Sequence, residues 1–227
     1  MNIVILAGGF GTRMSELTKT IPKPMVKILG KPIIVHIMEH YYSYGFKNFY
    51  VALGYKGSVI KKYFKNKKYE WNVNLIETGK KTMTGGRLKR LKKFLKKETF
   101  MMTYGDGLSN VNLKKLLNFH KKNKSIATLT AVRPPARFGK IEINGNQVKY
   151  FREKSKLDEG WINGGFFVFE PEIFNTIKND TTFLEKEPME YLASKKKLIA
   201  YKHKDFWQCM DTKRDKDILE SVLRKKL

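Results

Sequence analysis

The residues best suited to chemistry cluster near the amino end of the chain. Gly8, Gly9 and Gly11 follow the apolar run Ile3–Leu6, and Arg13 closes the segment. Glycines let the backbone turn sharply, and successive exposed N–H groups in such a turn form a concave site for anions. The planar guanidinium of arginine fits phosphate oxygens. The spacing matches neither a Walker loop nor a Rossmann fingerprint. It predicts a different nucleotide polyphosphate site, with a ligand-free tight turn as the alternative.

A lysine and two aspartates complete the first set of candidates. Lys23 lies between two prolines, which stiffen the backbone soon after the glycine turn. Asp106 lies between two glycines after a predicted strand, and Asp211 precedes the carboxy-terminal segment. Proteins usually hold Mg²⁺ with one or two carboxylates, together with water and phosphate oxygens. The pair therefore predicts a magnesium site. The alternatives are an exposed loop lysine, a turn aspartate at 106 and a helix N-cap at 211.

A second set of polar residues lies further along the chain. Asn163 precedes two glycines, a placement that suits hydrogen bonds to sugar hydroxyls. Lys154, next to Glu153, has the charge to hold a sugar phosphate. Turn chemistry and a surface ion pair are the alternatives for these residues.

The elements that must position these residues alternate between strand-like and helix-like patterns. Apolar runs predict strands over 3–6, 49–53, 73–76, 100–103, 126–132 and 166–169. Helical patterns cover 33–44, 59–64, 87–95, 113–120 and the end of the chain from 212. This βαβ rhythm is typical of an α/β, Rossmann-like, doubly wound and mostly parallel sheet, in which ligands bind beyond the carboxyl ends of the strands. The glycine turn and Asp106 both follow such ends.

The segment 138–169 has a different pattern. Residues 139–143 and 147–151 alternate around Asn144-Gly145-Asn146, which predicts a β-hairpin. We expect an inserted mixed-sheet lobe here, facing the nucleotide half. The chain is predicted to form one domain. Its nucleotide-binding half covers about 1–132, the lobe about 133–211 and a carboxy-terminal helix about 212–227.

Composition limits the classes of function. The 227 residues include 46 basic and 21 acidic side chains, a formal net charge of +25. That charge fits nucleic acid, an anionic membrane, polyanionic small substrates or a solvated surface. Because the lysines are scattered, we expect neither a specific nucleic-acid partner nor a membrane partner. No apolar run is long enough to span a bilayer, and the amino end lacks a signal-peptide pattern. The single cysteine, Cys209, suits a reducing cytoplasm.

Several motifs occur together in an order that resembles a known family. They are Leu-Ala-Gly-Gly-Phe-Gly-Thr-Arg, Pro-Lys-Pro-Met, Tyr-Gly-Asp-Gly, Glu-Lys, Ile-Asn-Gly-Gly-Phe-Phe and Met-Asp-Thr. Over nearly its whole length the chain resembles the sugar-1-phosphate nucleotidylyltransferases, and the segments 82–90, 134–139 and 206–212 resemble their cytidylyl branch. The resemblance implies a GT-A-like fold with a sugar-binding lobe and Mg²⁺ as cofactor. It also implies in-line attack of a sugar 1-phosphate, glucose 1-phosphate in that branch, on the α-phosphorus of CTP.

The resemblance implies roles for individual residues as well. Arg13 would hold the departing pyrophosphate, Lys23 would bridge the α-phosphate and the attacking sugar phosphate, and two aspartates would bind Mg²⁺, Asp106 and Asp211. The residues implied to bind the nucleotide are Leu6, Gly8, Gly9, Gly11, Thr12, Arg13, Thr82, Thr84, Gly85 and Asp106. Those implied to hold the sugar phosphate are Gly139, Glu153, Lys154 and Asn163.

Two other functions and the oligomeric state stay open at this point. The first alternative is an enzyme that uses UTP, dTTP or GTP, or another sugar 1-phosphate. The second is a basic module that binds nucleic acid or membranes through the amphipathic run 87–97, which also fits an ordinary packing helix. In the family that the chain resembles, the segment corresponding to the one between Phe64 and Trp71 is longer and contributes to subunit contacts. Because the connection is short in this chain, a homo-oligomer is an expectation only.

Overall fold

The computed structural model describes residues 1–134, 140–152 and 160–225. Its strands are β1 (Asn2–Ala7), β2 (Lys27–Ile28), β3 (Lys31–Pro32), β4 (Asn48–Leu53), β5 (Asn72–Glu77), β6 (Phe100–Tyr104), β7 (Gly107–Ser109), β8 (Ala127–Val132), β9 (Lys140–Asn144), β10 (Gln147–Arg152), β11 (Ile162–Phe169), β12 (Leu198–His203) and β13 (Trp207–Cys209). Its α-helices are α1 (Ser15–Thr18), α2 (Ile33–Ser43), α3 (Gly57–Lys65), α4 (Thr84–Arg90), α5 (Lys92–Leu95), α6 (Leu113–Asn123), α7 (Glu187–Ser194) and α8 (Lys213–Arg224). Short 3₁₀ helices cover Thr12–Met14, Lys23–Met25 and Pro171–Thr176.

A seven-stranded sheet forms the centre of the fold, in the order β12-β8-β11-β6-β1-β4-β5. β1 pairs in parallel with β4 and β6, β4 with β5, and β12 with β8. β11 runs antiparallel to both of its neighbours, β6 and β8. The sheet is therefore mostly parallel, and the predicted α/β fold class is confirmed.

Both faces of the sheet are covered, as the first strand shows. Ile3 and Ile5 belong to one buried apolar cluster, whereas Val4 and Leu6 belong to another. Successive side chains of a strand point to opposite faces, so a continuous apolar run is buried on both sides. The first cluster includes residues of α2 and α3, and the second includes residues of α4 and α7. This burial fixes the end of β1, from which the glycine turn begins.

Two elements differ from the sequence-based expectation. The helix predicted over 87–95 is present as two helices, because α4 and α5 are separated at Leu91. Leu88, Leu91 and Leu95 are fully buried, so the apolar face of this basic run packs into the core. The strand predicted at 166–169 extends from Ile162 and lies inside the central sheet, whereas β9 and β10 form a two-stranded sheet of their own. An apolar run identifies a strand but does not specify its pairing partners.

No helix within the described residues is long and apolar enough to cross a membrane.

Candidate active site

The glycine turn at the end of β1 rests on a buried arginine. Arg87 is 4% exposed and donates to the carbonyl oxygens of Gly8 (2.9 Å), Leu53 (3.1 Å) and Gly79 (2.7 Å), and to the hydroxyl of Thr78 (2.9 Å). Burial lowers the pKa of Arg87, yet a guanidinium stays protonated in proteins. The guanidinium therefore holds the backbone of the glycine turn through its hydrogen bond to Gly8, and it places a positive charge next to the turn. Sequence reasoning missed this role, and the only signal was the place of Arg87 in the segment 82–90.

We expect Gly8→Ala to destabilise the protein and Gly9→Ala to leave its stability unchanged. A Cβ at Gly8 would lie 2.2 Å from Nη1 of Arg87, whereas one at Gly9 meets nothing within 4 Å. Relieving the clash moves a buried guanidinium away from its acceptors. Overpacking of this kind lowers the free energy of unfolding by about 1–3 kcal/mol, which is roughly 2–4 °C in Tm per kcal/mol for a chain of this size. Thermal unfolding of the two variants is the measurement. Equal Tm values would contradict the assigned role of Arg87.

A lysine, an arginine and two aspartates meet next to this turn. Lys23 Nζ lies 2.6 Å from Oδ2 of Asp106 and 2.7 Å from Oδ1 of Asp211. Arg13 Nη1 lies 2.6 Å from Oδ2 of Asp211. Asp106 lies between β6 and β7, Asp211 follows β13, and the antiparallel pairing of β7 with β13 brings them together. The four predicted catalytic residues thus form one network.

The charges in this network stabilise one another. Burial lowers the pKa of Lys23, but the two carboxylates outweigh it and raise the pKa above its ordinary value. Burial likewise raises the pKa of Asp211, but Lys23 and Arg13 outweigh it and leave the pKa below its ordinary value. Both groups are therefore charged at neutral pH.

The two aspartates fit a magnesium ion. Their carboxylate oxygens are the hard ligands that Mg²⁺ prefers, and both lie within 2.7 Å of a single cationic nitrogen, that of Lys23. The two carboxylates therefore converge on one point, now filled by the ammonium group of Lys23. Another cation at this point would contact both carboxylates. That Asp106 and Asp211 are metal ligands stays a prediction.

The helix that follows fixes the position of Asp211. The buried Asp215 accepts from the backbone N–H groups of Asp211 (3.0 Å) and Thr212 (2.8 Å), and from the side-chain amide of Gln208 (3.1 Å). The N-cap of α8 is Thr212, in a reciprocal capping box with Asp215. The alternative reading of Asp211 as an N-cap is therefore wrong, and its carboxylate is available to Lys23.

Cys209 lies at the same strand end but is not suited to nucleophilic catalysis. Its Sγ is 3.6 Å from Oδ2 of Asp211. Burial and this neighbouring carboxylate raise the pKa of the Cys209 thiol to about 12. Because the thiolate is the reactive form, Cys209 is inert at neutral pH.

Most of the predicted residues line a single cavity of about 680 Å³, which is in the range of small-molecule sites. The predicted residues that line it are Leu6, Gly8, Gly9, Gly11, Thr12, Arg13, Lys23, Thr82, Thr84, Asp106, Asn163 and Asp211. Gly85 lies behind the wall, because a Cβ there would be 2.8 Å from the carbonyl oxygen of Thr182. Its implied role in the base pocket stays a prediction. Gly139, Glu153 and Lys154 lie outside the described residues.

Two polar residues of the cavity, Tyr104 and Glu185, were not identified from the sequence. The hydroxyl of Tyr104 donates to Oε1 of Glu185 at 2.5 Å, and the hydroxyl of Thr84 donates to Oε2 at 2.5 Å. The side-chain amide of Asn163 lies 3.5 Å from the Tyr104 hydroxyl. Burial and the Glu185 charge raise the pKa of Tyr104, so its hydroxyl stays protonated. The result is a polar strip from Thr84 to Asn163 along the wall.

The fold and this site define the class of protein. Residues 2–220 match the family model described as nucleotidyl transferase. The chain belongs to the nucleotidyl transferase family. The cavity, with its glycine turn and its paired cations and carboxylates, is the candidate active site.

Two curated relatives are similar over nearly the whole chain. The chain is 48% identical to the glucose-1-phosphate cytidylyltransferase of Salmonella typhimurium, over 99% of this chain and 96% of that protein. It is 32% identical to the mannose-1-phosphate guanyltransferase of Saccharomyces cerevisiae, over 98% of this chain and 64% of that protein.

Two solved structures share the fold. HddC from Yersinia pseudotuberculosis complexed with GMP-PN has a TM-score of 0.77 at 24% identity, covering 98% of this chain and 99% of that one. UDP-glucose pyrophosphorylase complexed with UDP-glucose has a TM-score of 0.77 at 19% identity, covering 100% and 99%.

Proposed function

We propose that this protein transfers the cytidylyl group of CTP to glucose 1-phosphate, giving CDP-glucose and pyrophosphate. The observation that carries the proposal is the 48% identity, over nearly both full chains, to a glucose-1-phosphate cytidylyltransferase. The cavity supports it independently, because it combines a glycine turn with the cations of Arg13, Lys23 and Arg87. Cations at these positions can neutralise charge on two phosphorylated substrates.

The chemistry needs no nucleophilic side chain. An oxygen of the sugar phosphate attacks the α-phosphorus in line, and pyrophosphate leaves. Positioning and neutralisation of charge provide most of the rate enhancement in such reactions. Arg13 holds the departing pyrophosphate, and Lys23 holds the two phosphates that must approach each other. A magnesium ion held by Asp106 and Asp211 would neutralise further charge on the phosphate oxygens.

The wider role follows from the product. A nucleotide sugar is an activated glycosyl donor, so we propose that CDP-glucose supplies polysaccharide biosynthesis in the cytoplasm. The net charge of +25 then serves to attract the two anionic substrates rather than nucleic acid. Because salt screens such attraction, kcat/KM should fall as ionic strength rises.

CTP with glucose 1-phosphate is expected to be the best pair in a substrate panel. The panel crosses CTP, UTP, GTP, ATP and dTTP with glucose, mannose and heptose 1-phosphates, and measures pyrophosphate release. A polar site that pairs with one base leaves groups unpaired with another, so we expect kcat/KM for CTP to exceed that for the purine nucleotides by roughly 100-fold or more. Preference for GTP with mannose 1-phosphate would contradict the proposal and favour the activity named for the yeast relative.

A further inference from the structure

The cavity contains a third carboxylate with an environment unlike the other two. Asp106 and Asp211 are paired with Lys23. Glu185, in contrast, is held by the hydroxyls of Thr84 and Tyr104, each at 2.5 Å. Among the cavity-lining residues that the structure describes, Glu185 is the carboxylate without an ion pair.

The hydrogen bonds around Glu185 leave its carboxylate able to accept further hydrogen bonds from a ligand. A hydroxyl has one proton to donate, and both Thr84 and Tyr104 donate theirs to Glu185. Thr84 also accepts from the backbone N–H of Leu184 at 2.9 Å, and Tyr104 lies within 3.5 Å of the amide of Asn163. A carboxylate can accept about four hydrogen bonds, so Glu185 can accept about two more.

The charge of Glu185 defines which part of a substrate can lie against it. A carboxylate without a cation repels phosphates, so it belongs next to an uncharged group that donates hydrogen bonds. A hexose ring offers several adjacent O–H donors, whereas a cytosine base offers one exocyclic amine and the ribose of CTP two hydroxyls. The separate KM values for the two substrates distinguish these groups. Asn163, at the other end of the polar strip, is a second polar side chain that can contact the same ring.

We propose that Glu185 is a specificity-determining residue that accepts hydrogen bonds from ring hydroxyls of the sugar 1-phosphate. The proposal rests on the proposed function and deepens it, because it names a side chain that recognises the sugar through its hydroxyls. Thr84 and Tyr104 act through Glu185 by orienting its carboxylate, and are positioning residues in this respect.

The test is the steady-state kinetics of Glu185→Gln, with Glu185→Asp as a second variant that keeps the charge. We expect the KM for glucose 1-phosphate to rise by about 10- to 100-fold, the size associated with losing a hydrogen bond to a charged group. The KM for CTP should stay within about threefold. Glu187→Gln is the matched control, because Glu187 is an exposed glutamate that pairs with Lys178 at 3.1 Å outside the cavity. Its constants should equal those of the wild type.

Analogues of the sugar phosphate separate direct contact from a structural effect. Fluorine in place of a ring hydroxyl cannot donate a hydrogen bond, so 2-fluoro- and 3-fluoro-deoxyglucose 1-phosphates remove one donor each. If Glu185 accepts from that hydroxyl, the wild type loses affinity for the analogue and Glu185→Gln loses less, because the neutral amide oxygen of glutamine makes only a weaker form of the same hydrogen bond. Additive losses on both analogues, a rise in the KM for CTP instead, or no change in any constant would overturn the proposal.

The same experiment distinguishes failure of the proposed function. If the wild type prefers another sugar 1-phosphate in the substrate panel, the assignment of glucose is wrong, and Glu185→Gln is then measured on that sugar and its fluoro analogues.

Discussion

Replacing Asp106 or Asp211 with alanine is expected to reduce turnover by roughly 1,000-fold or more, since a divalent cation on a phosphoryl group contributes several kcal/mol of transition-state stabilisation. The two carboxylates share Lys23, at 2.6 and 2.7 Å, and each is expected to be needed to hold the ion. Loss of either one should therefore be sufficient. The measurement is the rate of pyrophosphate release at saturating substrates as Mg²⁺ is varied, with the wild type inactivated by a chelator as the reference.

These variants should remain folded, which makes the result interpretable. Each retains one carboxylate beside Lys23, so no buried charge is left unpaired. Asp217→Ala is a suitable control, because Asp217 is an exposed aspartate of α8. Turnover of both cavity variants at the wild-type rate in Mg²⁺ would eliminate the proposed metal site.

Lys23→Ala is expected to reduce turnover by about 100- to 1,000-fold, the loss seen when one preorganised charge-stabilising donor is removed. It should also lower Tm, unlike the aspartate variants, because it leaves the carboxylates of Asp106 and Asp211 facing each other with only the exposed Arg13 as a counter-ion. Added Mg²⁺ should then raise the Tm of this variant more than that of the wild type, since binding to the folded state alone is stabilising.

The exposed Lys27 provides the matched control. Lys27→Ala removes the same charge without touching the network, so it should leave both turnover and the response of Tm to Mg²⁺ unchanged. An equal Mg²⁺ response in all three proteins would show that the two carboxylates do not bind the ion. A turnover of Lys23→Ala close to wild type would assign Lys23 a purely structural role.

The local sequence was sufficient to predict those residues that are positioned by the strand or helix next to them along the chain. The glycine turn follows a buried run, Asp106 follows the end of β6 and Asp211 precedes a capped helix, and a parallel sheet brings its carboxyl ends to one edge. Those features can be identified from short windows.

The residues that the sequence did not reveal depend on contacts between distant segments. Arg87 contacts Gly8 across 79 residues, and Glu185 contacts Tyr104 across 81 and Thr84 across 101. No periodicity or spacing specifies such pairs. The position of β11 inside the central sheet was missed for the same reason, because strand pairing is a long-range property.

The most direct test of cytidylyl transfer is a time course of the purified protein with CTP, glucose 1-phosphate and Mg²⁺, followed by ³¹P nuclear magnetic resonance. We expect the CTP and sugar-phosphate signals to disappear together, while CDP-glucose and pyrophosphate appear in equal amounts. Adding excess pyrophosphate should drive the reaction back to CTP. Release of orthophosphate instead of pyrophosphate, or no reaction with CTP while GTP or UTP is consumed under the same conditions, would contradict the account.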